Sequence, residues 1–479
     1  DLAAPRRIHI VGVGGAGMSA IALILATMGH RVTGTDVVAT AVFPQLEAAG
    51  VAVEVVDAAA LFGAGLAQDA DVIAHSTAFP PAEADRTDAG ARGALVVSRA
   101  GILSGICATR KTVAVSGTHG KTTTTAMLAG LLDAAGEAPS FLVGAAPAGG
   151  GPAARWTDDG WFVVEADESD GTFVELGAEV ALVTNVDEDH LDHWGSLDNI
   201  EAAFDRFLAQ ATVRVVCIDD PRREQPAPEP RAHRLALAHG AISVGQCAEA
   251  DVHITEVVVD RLRTTFRLHR AGDDLGVFEI AAPGRHNARN AAVALAAGLA
   301  LGVDIDRCRT GLAEYRGVAR RFEVVGEAAG VTVVDDYAHN PGKVGALLRT
   351  TREAGWDRVV AVFQPHRYSR TRDQWQAFGS ALAAADLVVV TDVYGAGEQP
   401  IPGVTGKLLV DALLDEHPWH RVAWLPALAD VTAFLRHELR PGDLCLTVGA
   451  GDVWRVGPEV LEALSADAGR VTAGAPGGS

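Results

Sequence analysis

Long hydrophobic runs are missing from this chain of 479 residues, in which no segment approaches the ~18 uninterrupted apolar residues of a membrane span. Its start, "DLAAPRRIHIVGVGG", enters a strand directly and has no charged region followed by an apolar one, so the expectation is a cytoplasmic protein without membrane attachment. Net positive charge is missing too. The formal charge is −21, which argues against a nucleic-acid or anionic-membrane surface, since binding there rests on Lys and Arg neutralising phosphates. An anionic ligand must then be held locally, by backbone amides, a few cations or a metal. Cysteine is scarce: Cys107, Cys217, Cys247, Cys308 and Cys445 are odd in number, scattered and never in C-x-x-C spacing. That leaves no pattern for a disulfide framework or a zinc site, and each reads as a small buried apolar residue.

What is present is ordinary globular material, 48% hydrophobic, and the length gives a prior of roughly three domains at ~150 residues each. Short apolar runs recur, each followed by a glycine or polar turn and then an alanine- and leucine-rich stretch, the sequence form of βα units around a mainly parallel sheet. One set closes near residue 103, a second runs from 104 to 318, and a third from 319 to 465. Within the second, "EQPAPEPRAHR" reads as a loop and residues 251–282 alternate like antiparallel strands, a β appendage. Residues 466–479 have too little apolar content to pack and read as a disordered tail.

In "VSGTHGKTTTT" the strand is expected to end at Ser116 and a helix to start near Lys121, so Gly117 and Gly120 let backbone amides converge on an anion at a helix N-terminus. Lys121 would reach the β and γ phosphates and Thr122 would offer its hydroxyl to Mg²⁺. The candidate ATP-binding stretch is Gly117, Thr118, His119, Gly120, Lys121, Thr122 and Thr123. Val115 stands where the usual P-loop has its first glycine, so a capped turn between strand and helix is the alternative. The next strand, "WFVVEADESD", ends in Glu165, Asp167, Glu168 and Asp170, hard oxygen donors of the kind Mg²⁺ takes, with Glu168 the main candidate. "TNVDEDHLDHW" brings Asn185, Asp189, His190 and Asp192 to a further strand end. Acidic loops are often merely solvated, but ligands of open α/β sheets bind beyond the carboxyl ends of strands, where these cluster.

The first segment carries "GVGGAGMSA", whose Gly12, Gly14 and Gly17 form G-x-G-x-x-G, with Asp36 ending the next strand. Such glycines let backbone approach a pyrophosphate. A nicotinamide enzyme would not need a second phosphate loop, so the pair suggests one nucleoside-diphosphate ligand and one triphosphate. In the third segment "DDYAHNP" places Asp336, Tyr337, His339 and Asn340 at a strand end, and "FQPHRYSRTRD" adds His366, Arg367, Arg370 and Arg372 at another. Arginine suits bidentate binding of carboxylate or phosphate; a solvated basic face is the alternative.

Together, "GTHGKTTTT", "EADES", "TNVDEDHLD", "GRHNARNAAVA" and "DDYAHNP" resemble the Mur ligases, ATP-dependent amide-forming enzymes of peptidoglycan synthesis, across nearly the whole chain. The resemblance implies an α/β protein of three domains: an N-terminal Rossmann-like domain for a UDP-sugar, a central P-loop ATPase-type domain, and a C-terminal Rossmann-like domain serving the amino-acid and nucleotide sites. "GVGGAGMSAIA", "FQPHRYSRTRD" and "VYGAGEQPIPG" look like the member that joins L-alanine to UDP-N-acetylmuramate through an acyl phosphate. By that resemblance Gly12, Gly14, Gly15, Ala16, Gly17, Met18, Ser19, Asp36, His75 and Ser76 would hold the UDP-sugar. Thr122, Glu168 and His190 would hold Mg²⁺, and His286, Asn287, Asn290, Arg321 (or Arg320) and Asp336 would contact ATP. Tyr337, His339, Arg367 and Arg370 would take the amino acid, with His339 a base or a positioning group.

Some positions depart from that member's pattern: Asn340 and Lys343 look like later-acting ligases, and His75 stands where a serine is common. Conversely, "NIEAAFDRFL" lacks the lysine that later-acting ligases carry. The competing readings are a ligase that attaches a whole tripeptide to UDP-N-acetylmuramate, a nicotinamide-dependent oxidoreductase and a non-catalytic nucleotide-binding regulator. A monomer or weak homodimer is expected.

Overall fold

Runs of Val, Ile and Thr build three sheets among the described residues, most strands being followed by an alanine- and leucine-rich helix. The computed structural model describes residues 2–63, 65–220, 223 and 226–473. Contacts group the chain into two units, one of residues 1–257, 265–280 and 286–315, the other of residues 258–264, 281–285 and 316–479.

The first unit holds two of the sheets. In the N-terminal one, parallel strands lie in the order Ala52–Val55, Arg31–Asp36, Arg7–Val11, Val72–His75, Leu95–Ser98. The chain thus moves outward from Arg7–Val11 in one direction and then in the other, which opens a crevice beyond the carboxyl end of Val11. The glycine-rich turn sits there.

In the central sheet the strand Thr112–Ser116 is flanked by the parallel strands Phe162–Glu165 and Val180–Val183, with Val115 opposite Glu165 and Ser116 opposite Val183. All five residues of Thr112–Ser116 are buried, so it reads as a continuous β-branched run rather than an alternating one. The common register ends all three strands at one level. That level is where the polar side chains of the site emerge.

The expected β appendage is continuous with this sheet: Val252–Asp260, Arg263–Arg270 and Asp273–Ile280 extend it to ten strands, beyond Ile242–Gly245. The expected loop "EQPAPEPRAHR" is corrected in part. Pro230–His239 is a helix, entered by Pro230 at its first position, where no amide partner is needed, and capped by the Glu229 side chain accepting from the Ala232 amide at 2.7 Å.

The second unit folds on a sheet ordered Glu323–Ala328, Val331–Asp336, Asp443–Val448, Arg358–Phe363, Leu387–Val390, Val422–Trp424, parallel except for the first pair. Separate apolar clusters cover its faces, one around Phe363 and Phe378, the other around Val360, Val431 and Val456. Its last helix, Val456–Ala473, passes residue 465, where order was expected to end. Ala466 and Ala468 continue the helix there, and Asp467 pairs with Arg436. Residues 474–479 lie outside the described residues.

The five cysteines are free and buried, and burial raises the thiols of Cys107 and Cys445 to about 12, which suits inert packing groups. No helix among the described residues is long and apolar enough to cross a membrane.

One buried ion pair joins the two central strands of the second unit's sheet. Arg358 donates to both oxygens of Asp443 at 3.0 and 2.7 Å, with the Asp443 side chain 4% exposed. Replacing Arg358 by Met strands that carboxylate, and the unfolding free energy of this unit should fall by about 3 kcal/mol in urea titration. A change below about 1 kcal/mol would show that water reaches Asp443.

Candidate active site

At the end of the strand Thr112–Ser116 the chain turns through Gly117, at φ +130, and Gly120, at φ +84, into the helix Lys121–Ala134. Glycine is required twice over. Besides the positive φ, a Cβ on Gly117 would lie 2.1 Å from Thr184 Oγ1, and one on Gly120 2.4 Å from Asn290 Oδ1. The turn is held from the neighbouring strand end: Thr184 Oγ1 and Asn185 Nδ2 donate to the His119 carbonyl at 2.6 and 2.8 Å, and the His119 amide donates to Asn185 Oδ1 at 2.9 Å. Thr118 Oγ1 donates to the Asp187 carbonyl at 3.2 Å and accepts from the Asp187 amide at 3.0 Å.

Lys121 bends back over this turn. Its ammonium donates to the Gly117 carbonyl at 2.9 Å and lies 2.5 Å from Glu168 Oε2, an ion pair in which the Glu168 side chain is only 3% exposed. His190 Nε2 stands 3.6 Å from the other Glu168 oxygen, on a residue held at φ +53. Burial pushes the Glu168 carboxyl above the usual range, against the pull of Lys121. For Asp167 burial also opposes ionisation, but Lys121, the Ser169 amide and Arg99 outweigh it and hold the carboxyl low. Thr122 Oγ1 donates to Glu165 Oε1 at 3.0 Å, and Glu165 Oε2 accepts the Gly144 amide at 2.6 Å. The side chain of Asp192 lies outside the described residues.

The N-terminal glycine turn is built the same way. Asp36 accepts the Gly14 amide at 2.8 Å and the Val37 amide at 2.8 Å, while a Cβ on Gly12 would meet Ser76 Oγ at 2.6 Å. Gly15 and Ala16 are exposed where the helix Ala16–Thr27 begins. Across from them, a Cβ on Gly17 would lie 3.4 Å from the guanidinium carbon of Arg99, whose Nη1 is 3.7 Å from Asp170 and 4.0 Å from Asp167.

In the second unit, Tyr337, His339 and His366 form a chain of rings, with centroids 5.2 and 6.0 Å apart, and His366 stacks on Tyr394 at 5.7 Å. His339 Nδ1 donates to the Tyr337 carbonyl at 2.9 Å, so the lone pair sits on Nε2. Burial, with help from Arg370, lowers this imidazole to about 4. Arg367 adopts φ +71, an uncommon conformation for a non-glycine residue, fixed by its amide donating to the Tyr394 carbonyl at 2.8 Å. Its side chain is exposed, whereas Arg370 leans on the His339 and His366 carbonyls at 3.4 and 3.5 Å.

Models of the Mur ligase family match three stretches: its catalytic domain residues 7–111, its middle domain residues 115–298 and its glutamate ligase domain residues 320–451. A UDP-N-acetylmuramate–L-alanine ligase of Pelotomaculum thermopropionicum is 39% identical over 463 residues, 96% of this chain and 98% of the relative. One from Kineococcus radiotolerans is 43% identical over 469 residues, 96% of each chain. The chain belongs to the Mur ligase family. The crystal structure of a UDP-N-acetylmuramate–alanine ligase from Thermotoga maritima superposes with a TM-score of 0.77 at 26% identity, covering 96% of this chain and 100% of that one. A murein peptide ligase from Psychrobacter arcticus shares the fold with a TM-score of 0.62 at 22% identity, over 96% of this chain and 99% of that one.

Within this Mur ligase several residues expected to touch ligand are occupied by the protein itself. Met18 and Ser19 are buried at 2% and 5%, Met18 in the apolar core, while the Ser19 amide and hydroxyl donate to the Gly15 and Ala16 carbonyls at 2.9 and 3.0 Å. His75 is buried, its Nδ1 donating to the Ser76 carbonyl at 3.0 Å, with its ring near Phe62. Asp36 and Asp336 both spend their oxygens on backbone amides, Asp336 on those of Phe322 and Ala338 at 2.8 Å each. Arg320 is tied to Asp335 and the Gly449 carbonyl, which leaves Arg321 as the exposed member of the pair. Asn287 and Asn290 are buried and bonded to one another at 3.2 Å beside Gly120, and His286 is exposed on the same helix. Asn340 caps the helix Pro341–Glu353 by accepting the Lys343 amide at 2.9 Å, a structural reason for its presence.

Sequence reasoning missed Glu165 as the Thr122 partner and Arg99 altogether. The signal for Arg99 was its place immediately after the strand Leu95–Ser98, whose end is level with His75.

Two outcomes are expected here. Gly120→Ala should weaken ATP-analogue binding about ten-fold or more in calorimetry, because the new Cβ collides with Asn290; unchanged affinity would mean that the turn carries no phosphate. The His339 imidazole should stay neutral in an NMR titration down to about pH 5. An unfolded histidine takes its proton near 6.5, so this group's share of stability is complete above 6.5 and is lost as pH falls toward 4. A midpoint near 6.5 in the folded protein would contradict that environment.

Proposed function

We propose that this Mur ligase joins L-alanine to the carboxylate of UDP-N-acetylmuramate at the expense of ATP, in cytoplasmic peptidoglycan precursor synthesis. The observation that carries this reading is the buried Lys121–Glu168 pair at the glycine turn, in a chain about two-fifths identical to curated alanine-adding ligases from end to end.

A carboxylate is a poor acyl donor and needs activation. Its oxygen attacks the γ phosphorus of ATP, giving an acyl phosphate and ADP. Lys121 leaves Glu168 and the Gly117 carbonyl for the triphosphate, and its ammonium offsets charge on the transferred phosphoryl group. The amides of Thr118 and His119 already donate to Asn185, so those of Gly120 and Lys121, at the helix N-terminus, would hold the remaining oxygens.

The donor set fits Mg²⁺. Both Glu168 oxygens are buried without a well-formed hydrogen bond, and the Thr122 hydroxyl, by donating to Glu165, keeps its lone pairs free. No three acidic, histidine or cysteine side chains converge as a ready-made cage among the described residues. Mg²⁺ needs none, because it binds through one or two carboxylates together with phosphate and water. Glu168 and Thr122, with His190 beside them, would hold it, and when bound it supplies charge neutralisation at the phosphates.

In the second step the alanine amine attacks the acyl carbon; the C–N bond forms, the tetrahedral centre collapses with cleavage of the C–O bond, and phosphate leaves carrying the proton lost by the amine. We assign the amino acid's carboxylate to Arg367, whose side chain is exposed and whose backbone is fixed. His339 presents a neutral Nε2 lone pair. At about 4 its basicity is far below that of an amine, so it orients the nucleophile by accepting a hydrogen bond rather than keeping its proton.

With ATP, Mg²⁺ and UDP-N-acetylmuramate, phosphate release should depend on L-alanine, and the product mass should rise by one alanine residue. Release only with the tripeptide would assign the protein to recycling, and none with either would leave a binding protein. Lys121→Ala should lower turnover roughly 10³-fold while UDP-N-acetylmuramate affinity stays within about three-fold; ligation at the wild-type rate would overturn the role given to Lys121.

A further inference from the structure

Three neighbouring parallel strands of the N-terminal sheet end at one level. Val11 leads into the glycine turn, His75 into Ser76, and Ser98 into Arg99, with Val11 opposite His75 and His75 opposite Ser98. Arg99 then opens the helix Arg99–Cys107, whose cap is Ser98 accepting the Gly101 amide at 3.1 Å. The backbone at Arg99 is therefore fixed by both a sheet and a helix.

Its side chain is in an unusual condition. Only 22% of it is exposed, and it lies against Gly17, the second residue of the helix that the glycine turn begins. Its Nε is buried with no hydrogen-bond partner. Its charge is balanced by Asp170 and Asp167 at 3.7 and 4.0 Å, beyond hydrogen-bond distance, so the planar fork is attracted to these carboxylates without being spent on them. Nearby Ser76 Oγ is likewise buried and unpartnered, pressed against Gly12. A guanidinium left with open donors beside exposed helix N-terminal amides is the chemistry of a phosphate clamp.

We propose that Arg99 is a positioning residue for the UDP-sugar: it binds the diphosphate laid on the glycine turn, and Asp167 and Asp170 aim it. Because those two carboxylates flank Glu168 in sequence, the same guanidinium sets the diphosphate relative to the phosphate loop of the central sheet. This inference deepens the proposed function and rests on its assignment of the glycine turn to a nucleoside diphosphate.

Binding of UDP, uridine and a non-hydrolysable ATP analogue to the full chain tests it by calorimetry, alongside ligation kinetics. Arg99→Ala should weaken UDP roughly 30-fold, the loss of a charge-assisted phosphate contact, leave uridine unchanged and leave the ATP analogue within about two-fold. Arg99→Lys should recover part of the UDP affinity, and the KM for UDP-N-acetylmuramate should rise more than kcat falls. Unchanged UDP affinity in Arg99→Ala would overturn the proposal. So would loss of UDP and ATP binding together in both variants, which would mark Arg99 as a purely structural link. If the wild type binds UDP in an Arg99-dependent way yet ligates nothing, the proposed reaction fails while this assignment stands.

Discussion

Lys121 and Glu168 meet at 2.5 Å with 13% and 3% of their side chains exposed, so neither charge keeps much of its water. Such a pair gains little stability over apolar packing, but each member alone would be costly, so each needs the other or a ligand of the right sign. That constraint explains the surrounding chemistry. A polyphosphate could take Lys121 only if something else took Glu168, and on the proposed reading a divalent cation arriving with the phosphates would do so. The ion pair and the proposed loaded site would then be two ways of neutralising the same buried charges.

Much of the polar sequence around the site serves to hold glycine turns in place. Asp36 fixes the Gly14 turn through two amides, Asn185 bonds both the amide and the carbonyl of His119, and Asp336 accepts the amides of Phe322 and Ala338. These side chains stand at carboxyl ends of parallel strands, where ligands also bind, because the same unpaired amides that attract a phosphate must elsewhere be satisfied by the protein.

The strand and helix pattern was legible because β-branched runs and glycine turns are local signals. The end of the strand Thr112–Ser116 could be placed to the residue, and the segment after it could be read as a phosphate turn. The helix Pro230–His239 was not legible, since its prolines read as loop although Pro230 occupies the one helical position that tolerates it. The tail beyond residue 465 was misread because composition reports packing, while the helix Val456–Ala473 continues on propensity and one ion pair. Among candidate site residues, those inside a motif could be named from the sequence, and several of them brace a turn in the structure. Deciding between bracing a turn and facing a ligand needs the partner's position: nothing in "GTD" shows that Asp36 is bonded to Gly14. Arg99 escaped because its meaning lies entirely in three dimensions, between a turn of one sheet and the acidic edge of the next.

In the proposed reaction the sugar carboxylate is activated by phosphoryl transfer from ATP before the amine attacks. UDP-N-acetylmuramate labelled with ¹⁸O in its carboxylate, incubated with ATP, Mg²⁺ and L-alanine, tests it directly by mass analysis of the released phosphate. One labelled oxygen should pass into phosphate for each amide formed from doubly labelled carboxylate, since the oxygen that attacked phosphorus departs with it. Phosphate free of label, with ligation proceeding, would contradict an acyl phosphate and with it the role given to Lys121.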